Sequence, residues 1–365
     1  MERLPTMVAL NSADMPLPQA RSKEFTSLLR LSADIGRDPL LIQASSGNTS
    51  VKLDEVMWIK ASGTWLADAE REEIFVPVDL KEALSAVHQN REAPVDWETQ
   101  SGVRLRASIE TTMHAVLPSR VVAHVHSVNT IGWAVREDGR ARLNERLRGL
   151  SWCWIPYVPS GLPLAQEIQK ALSGCPDANI FVLANHGLVV RGDTCGEVRR
   201  LLDFVEDRLA LSPAEAPEPN YNLLSCIAGR SGWRVPDHAT VHSLATDRNS
   251  RSIVAGGVLF PCQAIFSAGS AAVLPPREEV AARMQAENPE RPFFLVEGCG
   301  VVVNERMTRA DMEMLVGLAE VVRRIDRSAP LRYLSEAELQ LVLNEDAHDY
   351  RLRAGSVHKR EQAPA

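Results

Sequence analysis

The chain has 365 residues, of which 45% are hydrophobic and 24% charged, with a formal net charge of −7. Its length exceeds one typical domain and affords a sizeable core, so a domain boundary is expected. A mildly acidic surface repels phosphate backbones and anionic lipid, which excludes nucleic acid and membrane as bulk partners and leaves any anionic substrate to be met locally by oriented donors. The cysteines (Cys153, Cys175, Cys195, Cys226, Cys262, Cys299) form no CxxC pair, as expected of reduced thiols in the cytosol. The opening "MERLPTMVALNSADMPLPQARSKE" has no signal-peptide pattern, and no stretch reaches about 18 uncharged apolar residues. The expectation is a cytoplasmic protein.

In chain order, "SKEFTSLLRLSADIG" spaces its apolar residues for a helix and ends on glycine. "DPLLIQASSGNTSVKL" runs from an apolar segment, read as a short strand, into a Ser/Gly/Asn loop, and "VMWIKASGTWL" repeats that grammar as a short strand followed by a Ser-Gly turn. "VDLKEALSAVHQ" predicts a helix opened by Asp79, and "SIETTMHAVLPS" another ended by Pro118. "RVVAHVHSVN" alternates and is β-branched, hence a strand. After the Pro-rich turn of "YVPSGLPLAQEIQKAL" come a helix, the strand "NIFVLANHGLVV", and an amphipathic helix in "GDTCGEVRRLLDFVEDRLAL" behind an Asp193/Thr194 cap. The alternation predicts an α/β fold. "SPAEAPEPN", rich in Pro and Glu, predicts a linker at 212–220 between an N-terminal catalytic domain, 1–211, and a C-terminal α/β domain, 221–365.

The second half echoes the first. Residues 179–209 and 292–324 share an apolar strand, a Gly turn, "VV", a polar cap and a helix. His186 faces Cys299 in that alignment, and the second half has no HxH, so a degenerate repeat without metal ligands is expected, serving packing, assembly or the rim of the site.

Side chains alternate along a strand, so His124 and His126 project from one face a few ångströms apart, which suits two nitrogens on one ion or two ordinary strand histidines. A third ligand must come from elsewhere. His186, at an apolar strand end before Gly187, is the first choice, and His114, four residues after Glu110 on one helix face, is the second. Three neutral imidazoles with an open position suit a catalytic divalent ion, zinc first. Glu110 at a helix start is either a capping partner or, beside a metal, a general acid/base or fourth ligand. The "SSGNTS" and "KASG" loops, with Ser108, offer N–H and hydroxyl donors for an anion, or are ordinary turns.

The ordered set "SSGNTSVK" (45–52), "IKASG" (59–63), "RASIETTMH" (106–114), "AHVHS" (123–127), "PYVPSGLPLA" (156–165) and "LANHGLVV" (183–190) resembles the class II aldolase/adducin family over residues 25–210. The wording is most similar to the lyase part of bifunctional rhamnulose-1-phosphate aldolase/dehydrogenase proteins, without a GxGxxG motif for the dehydrogenase part. The resemblance implies a three-layer αβα domain around a central sheet, a homotetramer, and zinc or another divalent cation held by His124, His126 and His186. It implies Glu110 as acid/base, and Gly47, Asn48, Ser62, Gly63 and Ser108 as the substrate-phosphate cradle. Ile109 stands where the family often has a second serine. The implied reaction is cleavage of a ketose, in the first instance a ketose 1-phosphate, to a dihydroxyacetone-type fragment and an aldehyde through an enediolate stabilised by the metal. Epimerisation, decarboxylation or dehydration of a sugar phosphate, and a non-enzymatic adducin-like module, are the competing readings.

Overall fold

Strand "VVAHV" is apolar on both faces except at its histidine, and it becomes the middle of the molecule's larger sheet. The computed structural model describes residues 22–92, 95–229, 232–267, 269–276, 280, 284 and 291–356. The N-terminal segment read above for targeting signals, residues 1–21, lies outside them.

In chain order the first half contains α1 (Lys23–Gly36), β1 (Asn48–Leu53), β2 (Val56–Lys60), β3 (Phe75–Asp79), α2 (Leu80–His88), β4 (Asp96–Glu98), β5 (Arg104–Arg106) and α3 (Thr111–Val116). There follow β6 (Val121–Val125), α4 (Val128–Ala134), α5 (Gly139–Arg146), β7 (Trp152–Ile155), α6 (Leu162–Gly174), β8 (Ile180–Leu183), β9 (Gly187–Gly192) and α7 (Cys195–Leu209). Seven strands pair in the order β3-β2-β1-β6-β9-β8-β7, antiparallel throughout except β7 beside β8.

The side-chain alternation of β6 sorts the layers. Val121, Ala123 and Val125 pack with Leu28, Ile35, Val198 and Leu202 of α1 and α7, whereas Val122 packs with Met113 and Ile168 of α3 and α6. His124 is in phase with Val122, so it faces the α3/α6 side. The result is the three-layer αβα arrangement that the sequence led us to expect.

Two readings of the sequence are corrected. "LLIQ" is not a strand: the side chain of Asp38 accepts from the N–H of Leu40 at 2.9 Å, and its carbonyl accepts from Leu41 and Ile42 at 3.0 and 2.9 Å. Those turns bury both apolar side chains without a ladder. "NIFVLANHGLVV" is not one strand but the hairpin β8–β9, because Asn185 takes a positive φ of 52°, which asparagine tolerates better than most residues, and reverses the chain.

The second half contains α8 (Tyr221–Ala228), β10 (Trp233–Arg234), α9 (Ala239–Thr246), α10 (Arg248–Gly256), α11 (Pro261–Ser267), β11 (Val273–Leu274), β12 (Phe293–Val296), β13 (Gly300–Asn304), α12 (Arg309–Val322), α13 (Glu336–Val342) and α14 (Glu345–Ser356). Its sheet runs β10-β13-β12-β11. The sequence echo has a structural counterpart. Leu183 pairs with Gly187 at the end of one hairpin and Val296 with Gly300 at the end of the other, and Asn185 and Gly298 hold the same positive-φ position. The helix after each hairpin starts on a threonine cap, Thr194 or Thr308.

Residues 212–220 form no helix or strand. One hydrophobic core nevertheless joins Ala44, Trp65, Val128, Ile131 and Val135 to Leu244, Phe260, Leu315 and Ala354, so the two halves share buried surface. Among the described residues no helix is long and apolar enough to cross a membrane.

Gly187 fixes how closely β9 approaches β6: a Cβ there would lie 2.5 Å from the Val125 carbonyl oxygen and 3.3 Å from His124 Cε1. Gly187→Ala is therefore expected to destabilise by about 1–3 kcal/mol through overpacking, seen as a lower urea midpoint at unchanged m-value. A midpoint equal to the parent's would show that the two strands separate freely.

Candidate active site

His124 projects from β6, His126 follows the end of that strand, and His186 closes the β8–β9 turn. The three rings lie with centroids 4.9, 4.9 and 5.1 Å apart, all buried, and one nitrogen from each falls within 4.8 Å of the others. His124 Nδ1 donates to the Leu188 carbonyl at 3.1 Å. A carbonyl only accepts, so Nε2 carries the lone pair of the neutral ring. His126 Nδ1 lies 3.4 Å from Cys262 Sγ, and its Nε2 lies 3.1 Å from His124 Nε2.

The buried Cys262 thiol keeps its proton and is placed to donate to His126 Nδ1, which leaves the His126 Nε2–H to donate to the His124 Nε2 lone pair; a cation between the two nitrogens would take the place of that proton. Zinc–nitrogen bonds of about 2.0–2.1 Å at tetrahedral angles separate neighbouring nitrogens by about 3.3 Å. The three imidazoles therefore fit a divalent metal. His114 does not join them: its Nδ1 bonds Ser50 Oγ at 2.7 Å and its Nε2 bonds Asn48 Oδ1, so both ring nitrogens are used in holding β1 to α3.

Glu110 is the N-cap residue of α3, but its side chain makes no capping bond. The carboxylate turns instead to the cluster, Oε2 lying 3.4 Å from His124 Nε2 and Oε1 3.4 Å from His186 Nε2. Asn48 Nδ2 donates to Oε2 at 2.7 Å and Ser160 Oγ to Oε1 at 3.2 Å. Burial raises this carboxyl's pKa, but the imidazoles of His124, His186 and His126 when they carry charge, and the Asn48 bond, outweigh it and hold the group well below the usual carboxylate range. Burial lowers His186 to about 4 and His114 to about 3, so both are neutral at pH 7.

The residues expected to cradle a phosphate sit beside this cluster. Ser62 and Ser108 come from adjoining strand ends, with the Ser62 N–H on the Arg106 carbonyl at 2.8 Å and the Ser108 N–H on the Lys60 carbonyl at 3.2 Å. Asn48 and Gly47 open β1 next to β6, where Asn48 pairs with His124. The side-chain amide of Asn48 is taken up by Glu110, by Ser108 Oγ at 3.2 Å, and by His114, so it orients the carboxylate. Ile109 is 52% exposed and points away from the buried cluster.

The model of the class II aldolase and adducin N-terminal domain matches residues 28–212. The chain belongs to the class II aldolase/adducin family. An uncharacterized oxidoreductase of Bacillus subtilis (strain 168), YuxG, is 30% identical over 175 residues, 44% of this chain but 25% of that protein, so the match spans a quarter of that relative's length. The methylthioribulose-1-phosphate dehydratase of Bacillus pumilus (strain SAFR-032) is 28% identical over 182 residues, 44% of this chain and 79% of that protein. Among solved structures, the N-terminal class II aldolase domain of a conserved Thermoplasma acidophilum protein is 25% identical at a TM-score of 0.42, covering 51% of this chain and 92% of its own. L-fuculose-1-phosphate aldolase from Thermus thermophilus is 18% identical at a TM-score of 0.36, covering 52% and 93%.

Several residues around this cluster escaped the sequence reading. Ser160 lies inside a quoted motif but carries no local signal. Cys262 and Tyr350 come from the second half, Cys262 against His126 and Tyr350 against Ser45, whose Oγ donates to the phenol oxygen at 2.9 Å. Asn185 secures the His186 turn from the same side, its Nδ2 donating to the Leu259 and Arg332 carbonyls at 2.8 Å each and its Oδ1 accepting from Arg332 Nη1 at 2.9 Å. Lys60 had a detectable signal, a charge ending an apolar strand. It is 2% exposed, and its ammonium donates to the Ser45 carbonyl at 2.8 Å.

Burial lowers Lys60 to about 7, partly opposed by Glu110, and burial with the nearby Arg191 lowers Lys52 to about 7. In the unfolded chain a lysine keeps its proton to about 10.5, so between these values the unfolded state binds more protons and stability rises with pH. In metal-stripped protein, Lys60→Met is expected to reduce that slope by up to about 1.4 kcal/mol per pH unit, read from urea unfolding between neutral pH and the lysine range. Equal slopes in parent and variant would show that Lys60 titrates as an exposed lysine.

Proposed function

We propose that this family member is a divalent-metal-dependent aldehyde-lyase, zinc being the first metal to test, that cleaves a ketose, in the first instance a ketose 1-phosphate, into a dihydroxyacetone-type fragment and an aldehyde. The observation that carries the reading is one carboxylate held between imidazoles, with both of its oxygens within 3.4 Å of ring nitrogens. Such a site unites a cation position with a proton-transferring group. His124, His126 and His186 would hold the metal through the nitrogens that converge, the Leu188 carbonyl and Cys262 Sγ keeping two of the rings oriented. When bound, a divalent ion supplies Lewis-acid polarisation of the substrate carbonyl.

Glu110 performs the proton transfer. It is ionised at rest, so in cleavage it takes up the proton lost by the hydroxyl that becomes the aldehyde and returns it to the carbon left with the electron pair. The Asn48 and Ser160 bonds fix both oxygens while it does so, which places the proton on a defined trajectory. The burial of the cluster keeps bulk water from competing for that proton.

Dehydration is the second reading, supported by the likeness to the methylthioribulose-1-phosphate dehydratase. It uses the same carboxylate to remove a proton next to the carbonyl but breaks a C–O bond.

A panel of ketose 1-phosphates and free ketoses, supplied with zinc, tests the proposal through aldehyde release, with loss of water from an intact carbon chain scored in parallel. Aldehyde is expected from at least one phosphorylated ketose. His124→Ala should lose both bound metal and turnover, whereas Glu110→Gln should keep most of the metal and lose turnover by about 10²-fold or more. Full activity in Glu110→Gln would sink the mechanism, and water loss without aldehyde would move the protein to the second reading.

A further inference from the structure

Helix α14 lies outside the family-matched span, yet it sits on the loops that the sequence marked as an anion cradle. The Trp65 indole donates to the Ala354 carbonyl at 3.4 Å, Ser45 Oγ donates to Tyr350 Oη at 2.9 Å, and Arg353 Nη2 donates to Ser62 Oγ at 3.5 Å. Gly63 makes the close approach possible. It has φ +80°, and a Cβ there would lie 2.6 Å from Arg353 Cβ, so turn and helix touch through the missing side chain.

Two further contacts make α14 a fixed wall. Arg351 Nε bonds Asp311 of α12 at 2.9 Å, and the Tyr350 ring packs on Phe266 of α11 at 5.9 Å. Gly63 is buried, and among the described residues its N–H meets no acceptor. An unpaired main-chain donor in a buried residue is uncommon, and here it lies in the turn that Arg353 covers.

The geometry points to Arg353 as a substrate-binding residue: its guanidinium, with Ser62 Oγ and the Gly63 N–H, forms the charged arm of a subsite for the anionic group of the substrate. This rests on the proposed function only in taking that substrate to carry an anion. The cradle read from the sequence consists of neutral donors on a chain of net charge −7, and Ile109, where a further hydroxyl was expected, is turned to solvent. Lys60 lies below the turn with its ammonium on the Ser45 carbonyl. A guanidinium presents a planar fork of donors matched to phosphate or carboxylate, and it stays charged at any pH at which the protein is folded. The C-terminal half thereby becomes part of the pocket.

The test is calorimetric titration of the full chain with inorganic phosphate and, separately, acetate at fixed ionic strength, beside melting curves of each variant. The parent is expected to bind phosphate. Arg353→Gln should weaken that binding tenfold or more, Arg353→Lys severalfold, and Leu352→Gln, at an exposed site on the same helix, not at all. Tighter binding of acetate than of phosphate, equally sensitive to Arg353, would support the subsite and assign it to a carboxylate substrate. For any phosphorylated ketose that the parent cleaves, Arg353→Gln should raise KM more than it lowers kcat. Parent-like phosphate affinity in folded Arg353→Gln and Arg353→Lys, or no binding of either anion by the parent, would overturn the inference. Arg353-dependent phosphate binding without aldehyde release would instead count against the proposed reaction and leave the subsite standing.

Discussion

The structure depends on two imidazole nitrogens brought to 3.1 Å from one another in a buried place. At that separation one proton, or a cation in its place, must sit between them, in a buried place where an unpaired polar group is costly. Such a contact persists only where the backbone over-determines it, and the central strand does so from both sides. β1 pairs Asn48 against His124 and thereby sets the amide that holds Glu110. On the other side, β9 supplies the Leu188 carbonyl that fixes the His124 tautomer and, through Gly187, the clearance that lets the hairpin bring His186 within reach. The apolar layers on either face of β6 are thus the scaffold on which an otherwise unfavourable polar cluster is held.

Glu110 is the counterpart of that imidazole pair. A carboxylate this deeply buried is costly unless it is paired, and here the Asn48 amide and the Ser160 hydroxyl donate to its two oxygens. Removing the Asn48 and Ser160 donors would leave a buried carboxylate unpaired, so the charge is tolerated only while its surroundings are intact. The same logic accounts for Asn48, whose side chain is used completely in joining Glu110, Ser108 and His114.

The cluster was legible because its signals are local or ordered along the chain. A two-residue spacing on a β-branched run puts His124 and His126 on one face whatever the rest of the fold does, and His186 is marked by the glycine behind it. What was not legible arises from packing across long sequence separations. Cys262 meets His126, and Tyr350 meets Ser45, and neither has a local pattern that distinguishes it from an ordinary core residue. The two misread segments failed for a different reason. In "LLIQ" the apolar content implied a strand, but a side-chain oxygen two residues upstream of Leu40 offered the backbone a turn. In "LANHG" the apolar run continued through a reversal that only Asn185's φ reveals.

The C-terminal half shares the geometry of the β8–β9 hairpin without its polar side chains. Its hairpin places Gly298 where Asn185 stands and Cys299 where His186 stands, so it offers neither the imidazole nor the clamp. The first hairpin's Asn185 reaches into this half, to the carbonyls of Leu259 and Arg332 and to the Arg332 guanidinium. A buried hydrogen bond left half-made costs about 1–3 kcal/mol, so the turn that positions His186 is stabilised by residues more than seventy positions downstream. The shared hydrophobic core acts in the same direction, since Val128 and Ile131 of α4, the helix that follows the HxH strand, are packed against Leu244 and Leu315. Opening the second half would therefore expose the apolar face of α4 and release the His186 turn together. It follows that the second half is coupled to the geometry of the histidine cluster by the energy of its own packing, even though it contributes none of the three imidazoles.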